Sequence, residues 1–172
     1  EQQEEGYLPY WGLSQTNKYS RGKIHTDHYH CGFEIRCLYA ISIESNISEF
    51  KIAYEKYFDW YKKNMFDDDN LPKFMADRLY PINIHTSAEA ILCCTRLAKT
   101  EQDLLIARCI ALDVISLMEF KPGEYVHVIK EVAPFVKIKS KIPMLRWGQA
   151  WMFLALAELY CATEELQKLS ND

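Results

Sequence analysis

INIHTSAEAILCCTRLA, Ile82 to Ala98, opens on polar residues and then runs almost wholly apolar, with small Ala, Ser and Cys side chains along its length. A helix of that composition has no solvent face and needs neighbours on most sides. Two further stretches share its layout: HTDHYHCGFEIRCLYAI from His25 and LRWGQAWMFLALAEL from Leu145. His30, His85 and Arg146 stand near the three helix starts, about 55 and 61 residues apart. A period of that size predicts a stacked array of helical hairpins. Such a repeat gathers the unusual residues of successive helices at one end of the stack, where a shared site would lie.

Between these stretches the pattern changes. SEFKIAYEKYFDWYKKNMF, from Ser48, places Phe50, Tyr54, Tyr57, Phe58, Tyr61 and Met65 on one face, and Ser48 is the expected N-cap. EQDLLIARCIALDVISLMEF, from Glu101, is read with Leu105, Cys109, Leu112 and Ile115 in register and ends at Lys121-Pro122-Gly123. Helices apolar all round alternate with helices apolar on one side, which is what an inner and an outer layer require. Segments leading into the inner helices are long, those leading out are short, and long loops in a compact domain tend to carry function. In the last long loop, EYVHVIKEV and FVKIKSKIP are suited to a short β-hairpin.

With 172 residues, 49% of them hydrophobic, the chain is long enough for one domain with a sizeable core. The net charge of -4 offers no basic stripe, so nucleic acid is not an expected partner. No apolar run is long enough to span a bilayer, and the first residues, EQQEEGYLPYW, carry no signal-peptide pattern. A cytoplasmic location is expected, or a periplasmic one if a signal was removed. Six Cys without a CxxC pair read as small apolar core residues rather than as a disulfide or zinc framework.

Three runs, YPINIHTSAEAI (Tyr80 to Ile91), KIPMLRWGQAWMFLALAEL (Lys141 to Leu159) and DHYHCGF (Asp27 to Phe33), resemble the six-hairpin glycosidase-like proteins of bacterial surface-polysaccharide loci. The resemblance covers nearly the whole chain, and Trp-Gly-Gln-Ala-Trp is its most specific part. It implies an all-α fold, an (α/α) toroid, related distantly to the unsaturated glucuronyl hydrolases. At this period a closed six-hairpin ring takes about 350 residues. The chain would then be a single toroid domain over 1–172 or the C-terminal portion of one, completed by a missing N-terminal half or by a homodimer. In the glucuronyl hydrolases the matching helix start looks like Asp-Ser-Ser-Ala-x-Ala-Ile with the Asp as acid and base. Here His85 stands in its place, ahead of Thr86, Ser87, Ala88 and Glu89.

The chemistry is therefore read from the residues present. An imidazole transfers protons near neutral pH, so His85 and His30 are the catalytic candidates, with Asp27 as partner or orienter and Glu89 as a second carboxylate. Arg146 suits the carboxylate of a uronate, and Trp147, Trp11 and Tyr10 suit the apolar faces of sugar rings. Gln149 and His28 complete the expected substrate contacts. Asp27, His28 and His30 have a second reading as N-capping and core hydrogen-bonding groups. No metal and no cofactor are assigned, because no zinc spacing, phosphate loop or nucleophile elbow is present. The expected partner is an acidic oligosaccharide or polysaccharide, cleaved as by a hydrolase or lyase; the alternative is a non-catalytic glycan-binding or assembly scaffold.

Overall fold

The computed structural model describes residues 2–9, 26–142 and 144–171, and the fold is mostly helical with two small β-sheets. The first helix, α1, spans His28–Ser45 and is followed after two residues by α2, Ser48–Asn64. A short strand β1, Ile82–Asn83, leads directly into α3, Ile84–Arg96, and α4 covers Glu101–Met118. Strands β2 (Glu119–Lys121), β3 (Glu124–Tyr125), β4 (Val128–Ala133) and β5 (Val136–Ser140) come next. One wide π turn, Leu145–Gln149, then opens α5, Ala150–Asn171.

The packing is that of consecutive hairpins. α2 lies on α1 and α4 lies on α3, while α3 also contacts α1 and α5. α3 is the central element: Ile84 and every residue from Thr86 to Thr95 are buried. Its composition explains this, since Ala88, Ala90, Cys93 and Cys94 let neighbouring backbones approach on every side. Each fully buried Ile or Leu along it, such as Ile84, Ile91 and Leu92, contributes about 1.5–3 kcal/mol of burial. α1 and α5, flanked on fewer sides, expose Ile41 and Ile43 and Phe153 and Tyr160 respectively.

α1 and α3 approach closely at Gly32, where a Cβ would stand 2.8 Å from Glu89 Cγ. Glu89 is fully buried there and takes a two-pronged bond from Arg36 of α1, Nε to Oε1 at 2.6 Å and the terminal nitrogen to Oε2 at 2.8 Å. α1 and α3 are thus joined by an ion pair inside the core.

Several expectations change. Ser48 does not cap α2; it is the first helical residue, after Ile47, and its hydroxyl turns to Glu49. The aromatic face of α2 is as read, with Tyr54, Tyr57, Tyr61 and Met65 buried. On α4 the face is wrong: Leu104, Ala107, Ile110, Ala111, Val114 and Met118 are buried, whereas Leu105, Cys109 and Leu112 are exposed and Ile115 is half-buried. The buried face includes the small Ala107 and Ala111, which a reading weighted by hydrophobicity passes over in favour of Leu. Thr100 and Asp103 start α4 with a reciprocal capping box. Among the cysteines only Cys31, Cys93 and Cys94 are buried; all six are free, and Cys37, Cys109 and Cys161 are exposed.

The hairpin in the last long loop forms as β4 against β5, antiparallel from Val128 opposite Ser140 to Ala133 opposite Val136. β1 pairs along the other edge of β4, giving sheet order β1-β4-β5. Backbone bonding continues past β1, with Ile84 N donating to His127 O at 3.1 Å. The sheet thereby holds the start of α3 in place.

Candidate functional site

At the start of α1, Asp27 adopts an extended conformation and caps the helix by accepting from His30 N at 3.0 Å. Its second oxygen, Oδ2, lies 2.6 Å from Nδ1 of the same residue's ring. One carboxylate therefore ends the helix and orients an imidazole. The side chains of His30 and Asp27 retain 40% and 25% of their exposure, so the pair meets solvent at its outer edge. The carboxylate thus fixes the orientation of the ring, as an Asp orients an imidazole in an acid–base pair.

Asn83 plays the corresponding part at α3, accepting from His85 N at 2.9 Å. The His85 ring sits among aromatic rings from two other helix starts: Tyr29 of α1 at 4.0 Å between centroids, Trp147 of the π turn at 5.2 Å, and Trp151 of α5 at 5.1 Å. Tyr29 in turn lies 5.2 Å from the His30 ring. Burial lowers His85 to about 4, and the fields of His30 and His127 add to that against the opposing pull of Asp27. His85 is a neutral imidazole at pH 7, and its Nε2 is buried with no hydrogen-bond partner among the described residues.

The π turn delivers the third component. Gly148 is buried against α3, and a Cβ there would stand 3.0 Å from Ile84 Cγ2, so only Gly allows this approach without a shift. Trp147 is consequently set beside His85 while remaining 47% exposed, and the Arg146 guanidinium lies over its ring at 5.9 Å. π turns recur where a helix is opened to present side chains. No family model, curated protein or solved structure matches the chain.

His30, Asp27, His85, Trp147 and Arg146 thus converge through Tyr29 on one surface at the helix starts. The other sequence candidates are placed differently. Gln149 bridges the Tyr125 backbone, accepting from its N–H at 3.1 Å and donating to its carbonyl at 2.8 Å, so its amide clamps the π turn to β3 and does not reach outward. Glu89 is committed to Arg36. His28 is fully buried between Tyr61 and Phe66. Trp11 and Tyr10 lie outside the described residues. Tyr29, His127 and Trp151, none of them among the expected site residues, border the cluster. For Tyr29 the signal was its position between two histidines at the same helix start. Among the described residues, no group of three His, Cys, Asp or Glu is placed to share a metal.

His28 gives a pH dependence of its own. Burial pushes its ring down to about 3, partly offset by the backbone of Met65 and Lys73. The Tyr61 phenol, raised well above its ordinary value chiefly by burial, keeps its proton and is hydrogen-bonded to Nε2. Unfolded, the same ring takes up a proton near pH 6.5; folded, it does not until about pH 3. Stability is then fully present above pH 6.5 and falls as pH drops, by about 2 kcal/mol at pH 5. Urea unfolding of the native protein and of His28→Phe at pH 7 and pH 5 measures this: the native protein is expected to show the extra loss and the variant a markedly smaller one.

Proposed function

We propose that the hairpin stack is an arc of an (α/α) toroid, and that the surface at its helix starts takes an acidic, uronate-containing glycan and cleaves it. The single observation that carries the reading is the convergence of an oriented Asp27–His30 pair with a ring shelf and an exposed guanidinium. Trp147 and Tyr29 offer faces for sugar C–H groups, and Arg146 offers paired donors to a carboxylate. His30 is the proton-accepting group and Asp27 its orienter. Tyr29, raised by burial and then by the Glu89 field, stays protonated and stands beside both histidines as a proton donor.

These groups suit β-elimination better than hydrolysis. Removal of the proton α to a uronate carboxylate needs a base, a cation on the carboxylate and an acid for the departing oxygen, which His30, Arg146 and Tyr29 supply. Hydrolysis with two facing carboxylates has no support here, because Asp27 is held by His30 and Glu89 by Arg36. Six unpaired thiols suit a reducing cytoplasm.

The test is incubation of the intact protein with uronate-containing and neutral oligosaccharides, following unsaturated-uronate absorbance and new reducing ends separately. Absorbance and reducing ends rising together on uronate substrates is the expected result, and Arg146→Ala should raise KM about tenfold or more on those substrates alone. Reducing ends without absorbance would make the reaction a hydrolysis. Binding without turnover would leave the glycan-binding scaffold, the reading favoured by the structural engagement of Gln149 and His28.

A further inference from the structure

Beyond the glycan reading, the β4–β5 hairpin carries a surface that the site does not use. At its tip Phe135 is 95% exposed and sits at φ 66°, a left-handed conformation that Phe rarely adopts. Val132, Val136 and Ile138 are all more than half exposed, as is Ile142 just beyond β5. The register explains how they gather. Ile129 is buried and pairs with Lys139, and Glu131 pairs with Lys137, so these residues share the inner face. There Lys139 donates to Leu117 O at 2.7 Å and Lys137 lies over the Tyr80 ring. Lys130 and Ile138, paired with each other, belong to the outer face, and Val136 extends that face to the tip, while Val132 stands exposed at the irregularity between Glu131 and Ala133. An apolar face and an apolar tip of this kind mark an interaction surface.

Charge identifies the occupant. Val128 to Ile142 contains four Lys and one Glu, a local +3 on a chain whose net charge is -4. Lys130 and Lys141 are both exposed beside the apolar residues. A second copy meeting this hairpin symmetrically would set like charges against each other. A sugar ring stacks on planar aromatic faces, whereas here aliphatic side chains predominate. Aliphatic and benzyl groups at a tip with a lysine rim fit the boundary between headgroups and acyl chains of an anionic bilayer.

We propose that the β4–β5 hairpin docks the protein peripherally on an anionic lipid surface, Phe135 entering the interface and Lys130 and Lys141 meeting the headgroups.

Cosedimentation with phosphatidylcholine vesicles, with and without about 30% phosphatidylserine, tests this at low and high salt. The expected result is binding to the anionic vesicles alone, weakened by salt. Phe135→Asn suits the left-handed backbone, so the hairpin is kept while the wedge is removed, and partition should fall about tenfold. Lys130→Glu combined with Lys141→Glu should abolish the preference for anionic vesicles. Absence of binding at low salt, or unchanged binding by Phe135→Asn, overturns the proposal. If Phe135→Asn instead weakens retention of an acidic oligosaccharide, or turns a dimer into a monomer without any vesicle binding, the hairpin belongs to the glycan or to a second copy and the lipid assignment is wrong.

Discussion

Glu89→Ala is expected to destabilise the fold by about 3–5 kcal/mol, the usual cost of leaving one member of a buried ion pair alone. Glu89 is fully buried, and the Arg36 side chain keeps only 10% of its exposure, so the orphaned guanidinium cannot turn to water without opening the contact between α1 and α3. Burial pushes the Glu89 carboxyl up and Arg36 pulls it back, so each charge is tolerated because of the other. The loss should depend on the partner. Replacing both, as Arg36→Met with Glu89→Leu, fills similar volume without a charge and should recover much of the stability. Urea unfolding of the single and double variants measures the coupling. A Glu89→Ala protein within about 1 kcal/mol of the native one would mean that the pair holds nothing together.

His30→Ala is expected to lower kcat on a uronate substrate by about 10²- to 10⁴-fold if His30 transfers the proton in the proposed reaction. Two controls separate chemistry from folding. Asp27→Asn keeps a good N-cap for α1, so the melting temperature should hardly move, while the loss of an anionic orienter should still cost turnover. His85→Ala, by contrast, removes a neutral ring packed among Tyr29, Trp147 and Trp151, and should raise KM more than it lowers kcat. Full turnover by both His30→Ala and Asp27→Asn would remove the pair from the mechanism.

Those two experiments bear on residues of different legibility. The Asp27–His30 pair lies three positions apart at a helix start, and its cap is readable from spacing alone. The Arg36–Glu89 pair spans 53 positions, and nothing local to either residue indicates the other. Glu89, one turn into its helix, reads as a second site carboxylate, and only the fold shows its Arg36 partner. Nor does the local sequence reveal that the Gln149 amide completes a backbone pairing with Tyr125, which exists only once the π turn has met β3.

The sequence by itself determined the buried face of α2 and the hairpin in the last long loop, because hydrophobic periodicity and turn residues act over a few positions, whereas of the three helices read as inner only α3 is buried along its length. It also placed His30, His85 and Arg146 at equivalent ends of successive helices. Tertiary structure decided which face of α4 turned inward, the one that carries Leu104, Ala107, Ile110, Ala111, Val114 and Met118. It decided which of the singled-out polar groups stay at the surface and which are consumed by the core. Those outcomes depend on which helices become neighbours and how near their backbones come, as at Gly32 and Gly148, and distances between remote segments are not written in any one of them.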